Sequence, residues 1–219
     1  MTTRAAVVDD HELLATTLAL ALEARGYEVH RPPMTDLDGV LADLARFRPG
    51  VTLLDLDLGA VGDGRDLVAP LAAGGSQVVV LSGTEDRWRV GACLELGAVG
   101  WVRKTAALGQ FLGEVEAAAQ HRPVLSEPDR VRLVAEWHAH QRSHRLERAR
   151  FERLTRRERE VLAMLMAGET VERIATGAVV SHATVRTQVH YILMKLEVNN
   201  QLEAVALAHR VGWTADGGV

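Results

Sequence analysis

Residues 51–57 read Val-Thr-Leu-Leu-Asp-Leu-Asp. An uncharged, mainly apolar run meets an acid at Asp55, with a second acid at Asp57. An apolar run this short is what a parallel strand covered on both faces requires, because neither face meets water. A glycine-rich loop follows (Gly59, Gly62, Gly64), then a helical stretch from about Arg65 to Ala73. The same phrase recurs outward in both directions. Arg4–Val8 runs into Asp9 and Asp10, Gln77–Leu81 runs into Ser82, and Ala98–Val102 is followed by Lys104. Tyr27–His30 is a further short strand. Between the strands lie stretches with apolar residues at helical spacing. These are His11–Arg25 (Leu14, Leu18, Leu22), ended by Gly26, and Leu37–Phe47 (Leu37, Leu41, Leu44), ended by Pro49-Gly50, followed later by Glu85–Leu96 and Ala106–Gln120.

Five strands alternating with five helices in about 120 residues predict an α/β flavodoxin-like, doubly wound five-stranded parallel sheet. Functional groups in such a sheet gather at the carboxyl ends of the strands. The rest of the 219-residue chain is organised differently. Residues 1–120 hold 10 Lys+Arg against 17 Asp+Glu, a net of −7; residues 121–219 hold 15 against 12, a net of +3. An acidic module joined to a basic one implies two kinds of partner. Hydrophobic residues at 47% and charged residues at 25% exclude wholesale disorder. The single cysteine, Cys93, excludes an intramolecular disulfide and any multi-cysteine zinc site, and reads as a small buried hydrophobe in a reducing compartment. There is no secretory signal and no apolar run near 18 residues, so the expectation is a cytoplasmic protein with no membrane partner.

The polar residues at the predicted strand ends make a chemistry together. Asp9, Asp10 and Asp55 would crowd one crevice, and like charges that close repel unless a cation sits among them. An oxygen-only ligand set suits Mg²⁺ with a phosphate oxygen. A carboxylate beside such an ion can act as a nucleophile toward phosphorus, with the ammonium of Lys104 and the hydroxyl of Ser82 balancing charge on the phosphoryl oxygens.

With those positions in view, residues 4–120 resemble the receiver domain of two-component response regulators, and VVDDHELL and GWVRK are similar to the wording of the NarL/FixJ branch. The resemblance implies Asp55 as phosphoacceptor and Lys104 and Ser82 as its catalytic neighbours. It implies a Mg²⁺ cofactor held by Asp9, Asp10, Asp55 and the backbone carbonyl of Asp57, and a switch in which Ser82 and Trp101 move together. The sequence departs from the family in three places. Gly59 and a longer loop stand where a proline is usual after the acceptor, Ser82 replaces Thr, and Gly83 replaces Ala.

The predicted domains are a receiver over residues 1–121, a linker with a connector helix over 122–150, and a helix-turn-helix domain over 151–219. His121–Pro128 carries two prolines and reads as the joint. Asp129–Arg150 reads as helix, with Trp137 facing another domain, a second chain or solvent. Of its histidines only His140 and His144 share a face, and no third ligand accompanies them, so a zinc site is disfavoured against a charged surface helix. Beyond it, Thr155 and Glu158 form a capping-box pattern. The apolar face Val161, Leu162, Leu165, Met166 follows, and Gly168 ends the helix. Thr170 caps a short helix Val171–Thr176, Gly177 makes a turn, and Ser181 caps a third helix with the stripe Val185, Val189, Ile192, Leu196. A fourth starts at Asn199 or Asn200. This is an all-α four-helix helix-turn-helix domain.

Leu154–Arg210 resembles the LuxR-type domain, on the wording LTRREREVLAMLMAGET, TVRTQVHYILMKL and QLEAVALA. The resemblance implies that Ser181–Leu196 reads double-stranded promoter DNA. Ser181, Thr184, Arg186, Thr187, Gln188, His190 and Lys195 are the candidate contacts. Residues 150–212 carry 9 basic and 7 acidic residues, a net of +2, with Glu172 on this part of the chain. That modest charge predicts weak monomer binding and a homodimer on paired half-sites, promoted by phosphorylation. The function expected is a non-enzymatic transcription factor that accepts a phosphoryl group on Asp55 from a sensor histidine kinase. Three alternatives compete with it. One is an orphan regulator that binds DNA without phosphorylation. A second is an aspartate-dependent phosphohydrolase, disfavoured because its DxD would open the domain and here follows the third strand. The last, for the C-terminal part, is a four-helix protein-interaction domain.

Overall fold

The computed structural model describes residues 3–83 and 87–215. The chain divides into two compact units, Met1–Ala139 and His140–Val219.

The first unit is a five-stranded parallel sheet of β1 (Arg4–Val8), β2 (Glu28–His30), β3 (Val51–Asp55), β4 (Gln77–Ser82) and β5 (Gly100–Arg103), in the order β2-β1-β3-β4-β5. Its helices are α1 (Glu12–Glu23), α2 (Leu37–Phe47), α3 (Arg65–Ala73), α4 (Arg87–Glu95) and α5 (Leu108–Ala119). The predicted start of the fourth helix at Glu85 lies outside the described residues. Successive side chains of a strand point to opposite faces, and the core divides accordingly. Ala5, Val7, Leu53, Val79 and Leu81 pack with Leu18 and Leu22 of α1 and Phe111 and Val115 of α5. Ala6, Val8, Leu54, Val78 and Val80 pack with Val40 and Leu44 of α2, Leu67 and Val68 of α3, and Val90 and Leu94 of α4. Both faces are covered, so the strands need unbroken apolar runs.

A sixth helix, α6 (Glu127–Glu152), runs through the boundary between the units. Its first turns belong to the sheet unit. Leu133 is 2% exposed and joins the core of α2, α3 and α4. Gly91 of α4 permits this approach, because a Cβ there would lie 2.2 Å from the Leu133 carbonyl oxygen. Arg87 makes a two-pronged pair with Glu136, both bonds 2.9 Å. Trp137 stacks on Trp88 at 5.8 Å, and its indole N–H donates to Glu95 Oε2 at 3.0 Å. Trp137 therefore packs on α4 of its own chain, and His138 also meets Glu95.

The second unit holds the last turns of α6 with α7 (Arg156–Met166), α8 (Val171–Gly177), α9 (His182–Leu196) and α10 (Gln201–Arg210). Val161, Leu162, Ile174, Val185, Val189, Ile192, Leu196, Ala204 and Leu207 form its core, joined by Phe151 of α6. The caps are the expected ones. Thr155 and Glu158 make a full capping box, and Thr170, Ser181 and Asn200 each accept a backbone N–H three residues on. One detail differs from the sequence expectation. Gly177 is the last helical residue of α8, and the turn is made by Ala178–Val180, with Val179 at φ 55°. A left-handed β-branched residue is uncommon, so the packing of the two flanking helices overrides local preference here.

Candidate phosphoacceptor site and DNA-reading face

The strand register builds the first site. β1 pairs with β3 so that Val8 lies opposite Leu54, which brings the next residues, Asp9 and Asp55, level. β3 pairs with β4 with Asp55 opposite Leu81, and β4 with β5 with Ser82 opposite Arg103. Lys104, the residue after Arg103, therefore projects onto Asp55, while Ser82 ends β4 one residue past the partner of Asp55. The side chains of Asp9, Asp55 and Lys104 meet because the strands that carry them end at one edge.

Asp55 is 1% exposed and Asp9 4%. Lys104 Nζ donates to Asp55 Oδ2 at 2.5 Å and lies 3.1 Å from Asp9 Oδ2. Burial pushes the Asp55 carboxyl up, the bond from Lys104 pulls it down, and the Asp9 charge pushes it up again; the net direction is upward. Burial works against the Lys104 ammonium, but the Asp55 bond and the charge of Asp9 outweigh it and raise its pKa. Asp9 Oδ1 accepts the His11 backbone N–H at 2.8 Å. Asp9 Oδ2, in contrast, is buried without a hydrogen-bond donor. Lys104 Nζ meets it as an ion partner at 3.1 Å. An orphaned carboxylate oxygen of this kind is a fit for a cation. Atoms of Asp9, Asp10, His11 and Asp55 all lie within 4.8 Å of one another, which makes this the group able to hold a metal ion among the described residues.

His11 was not among the sequence candidates. Its Nδ1 lies 2.8 Å from Asp10 Oδ1, and its place directly after the acidic pair was the available signal. Ser82 is buried and donates its hydroxyl to the Gly83 carbonyl at 2.9 Å. Trp101 is half-buried against the α2–α4 core, with the Arg103 guanidinium 5.6 Å from its ring. The Asp57 side chain is exposed and pairs with Arg89 of α4 at 2.8 Å. Arg89 was also missed, because a partner 32 residues away leaves no local mark.

The longer loop after Asp55 is a closed miniature hairpin. Leu58 N–H donates to Gly62 O, Gly64 N–H donates to Leu56 O, and Asp57 bridges Asp63 around a 3-10 turn at Gly59–Val61. Gly64 is required there, since a Cβ would stand 1.9 Å from the Asp55 carbonyl oxygen.

On α9 the outward residues include His182, Thr184, Arg186, Thr187 and His190, all exposed, with Gln188 half-buried. Ser181 Oγ accepts the Thr184 N–H at 3.0 Å, and Thr187 Oγ1 donates to Ala183 O at 2.9 Å. Both groups are thus engaged within the helix. Lys195, expected among the DNA contacts, is bonded to both carboxylate oxygens of Glu158 at 2.9 and 2.6 Å. Glu172 lies near His182 and Arg186 on the exposed side of α9. Its acidity is increased first by its own backbone N–H and the Thr170 hydroxyl, and further by the charges of His182 and Arg186.

Among the described residues no helix is long and apolar enough to cross a membrane. Residues 5–116 match the response regulator receiver domain family, and residues 152–208 match the family of bacterial regulatory proteins of the luxR type. Transcriptional regulatory protein LiaR of Bacillus subtilis is 28% identical over 210 residues, spanning 94% of this chain and 97% of that protein. Transcriptional activator protein ExaE of Pseudomonas putida is 28% identical over 211 residues, spanning 94% and 95%. In fold, the chain is similar to the RcsB response regulator of Salmonella typhimurium, with a TM-score of 0.51, 21% identity, and 95% and 98% of the two chains covered. No enzyme family emerges from these likenesses. With both domains matched and relatives aligned over nearly their whole length, this chain belongs to the two-component response regulators, as a receiver domain followed by a LuxR-type DNA-binding domain.

Proposed function

We propose that this response regulator accepts a phosphoryl group on Asp55 from a sensor histidine kinase and, in that state, binds promoter DNA as a homodimer. The observation that carries the reading is the Asp55 carboxylate, buried at the end of β3, bonded to Lys104, and level with a second buried carboxylate that has an unsatisfied oxygen. An Asp55 oxygen attacks phosphorus and the donor imidazole leaves. Lys104 stays beside the acceptor and neutralises the charge that arrives. The Ser82 hydroxyl leaves Gly83 O for a phosphoryl oxygen, and Trp101 moves into the space behind it, a population shift driven by the new charge.

Asp9, Asp10, Asp55 and the Asp57 carbonyl are the groups that would hold Mg²⁺, with His11 at the rim. When bound, the ion supplies positive charge to the phosphoryl oxygens and relieves the repulsion among the acids. The protein works where histidine kinases present their phosphoryl donors, the cytoplasm.

Asp55→Asn tests the reading. A small phosphodonor such as acetyl phosphate should label the parent chain once and leave the variant unlabelled, read as intact mass. Retained labelling at a single aspartate would sink the assignment. For DNA, the contacts of choice are Arg186, Thr184, Thr187, Gln188 and His190, with Ser181 offering the helix end to a phosphate. The small positive charge of this unit is the reason to expect a dimer on paired half-sites.

A further inference from the structure

The Arg89 side chain is 15% exposed, against 71% for Asp57 and 38% for Asp63. The guanidinium therefore lies beneath the loop that follows the acceptor. It donates to Asp57 Oδ1 at 2.8 Å, to Asp63 Oδ1 at 3.1 Å and to the Leu56 carbonyl at 3.2 Å. These three groups span both arms of the miniature hairpin. The same Leu56 carbonyl accepts Gly64 N–H, and Asp63 Oδ1 also accepts the backbone N–H of Arg65 at the start of α3. A planar fork with several donors suits this arrangement, and a lysine point charge cannot reproduce it. The residues on either side of Asp57, Leu56 and Leu58, are each 1% exposed. The chain is thus held from the core by apolar side chains and from α4 by one cation, and the Asp57 carbonyl between them has little freedom left. Arg89 shares its turn of α4 with Arg87 and Trp88, which grip α6.

From this geometry we infer that Arg89 is a positioning residue for the divalent cation: by clamping Asp57 and Asp63 it fixes the backbone carbonyl of Asp57 in its ligating orientation. The inference rests on the metal and phosphoacceptor reading above. It makes a prediction opposite to that of simple electrostatics. A fixed positive charge near a cation site weakens binding, so on charge alone removal of Arg89 would tighten Mg²⁺ binding. If Arg89 positions the carbonyl, its removal weakens binding despite the added negative charge.

The experiment is a calorimetric titration of Mg²⁺ into the unphosphorylated full chain, with Mn²⁺ paramagnetic resonance as a second readout. The chains compared are the parent, Arg89→Lys and Arg89→Ala. The expected result is a dissociation constant raised about tenfold in Arg89→Ala, the lower end of what losing an outer partner of a ligand costs, and an intermediate rise in Arg89→Lys. Arg89→Lys keeps the charge and loses the fork, so a rise there belongs to geometry. Tighter binding in Arg89→Ala with no change in Arg89→Lys would overturn the inference in favour of charge alone. Unchanged binding in both would overturn it as well. A parent chain that takes no Mg²⁺ sinks the reading beneath it, and shows this before any variant is compared.

Discussion

Two lysines in this molecule each meet a buried carboxylate, and their surroundings differ in one respect. Lys195 of α9 gives both of its short bonds to Glu158. Glu158 also accepts the Thr155 backbone N–H at 2.7 Å, so each of its oxygens has a donor. Burial would raise the Glu158 pKa, yet Lys195 and Thr155 together bring it below the ordinary value. Lys104 instead stands between two acids. It satisfies Asp55, leaves Asp9 Oδ2 without a bond, and Asp55 ends with a raised pKa. A closed pair is structural: it ties α7 to α9. An open set, with more acid than cation, keeps capacity for a further positive charge, and sites of that kind are where function is found.

The largest expected effect comes from removing each lysine in turn. Lys104→Met should slow labelling of Asp55 by a small phosphodonor by about a hundredfold, the scale of losing one charge-stabilising donor, with far-UV dichroism unchanged. Lys195→Met should leave the labelling rate alone and cost about 2–4 kcal/mol of stability in the C-terminal unit, because Glu158 is left buried and unpaired. Thermal unfolding measures the second effect, and equal labelling defects in the two variants would erase the distinction.

Acid should separate the same two sites by sign. The Glu158 carboxyl is depressed in the folded state, so its stabilisation is present above its ordinary pKa of 4.5 and is lost as pH falls through the lower folded value. Asp55 is raised, so its ionised form opposes folding above the folded value, and protonation relieves that opposition as pH falls. Hydrogen exchange read peptide by peptide should show α9 losing protection in acid. The same acidification should spare β3 until a lower pH. A single transition common to both would break the contrast.

The smallest effect concerns the reading face. Glu172→Gln removes an acid beside His182 and Arg186 and should tighten binding to a double-stranded fragment by roughly two- to fivefold, as for a rim charge. The gain should shrink as salt is raised. Fluorescence anisotropy at two salt concentrations measures it, and weaker binding would show that Glu172 itself makes a useful contact.

Much of the acceptor site was legible because parallel register is regular. Short apolar runs ending in Asp9 and Asp55 place those residues at one level once the strands pair, with Ser82 one residue beyond, so spacing along the chain translates into proximity. The caps at Thr155, Thr170 and Ser181 were legible for a related reason: donor and acceptor lie three residues apart. Lys195 shows where that reasoning ends. Its distance from the apolar stripe of α9 put it on the DNA side, but Glu158, 37 residues earlier, draws it onto α7. Trp137 is a lone aromatic on a polar helix in the sequence, and its partners Trp88 and Glu95 lie more than forty residues earlier in the chain.

Local periodicity and strand register carry the alternation of strands and helices, the helix caps, and the gathering of carboxylates, hydroxyl and lysine at one sheet edge, and all of these can be read along the chain. Which charges pair is set by the folding of distant segments onto one another. It closed Glu158 with Lys195, set one lysine between Asp9 and Asp55, clamped Asp57 and Asp63 with Arg89, and laid the first turns of α6 on α4. A side-chain ion pair is specified by three-dimensional approach between residues distant in the chain. The linear sequence states only that both charges exist.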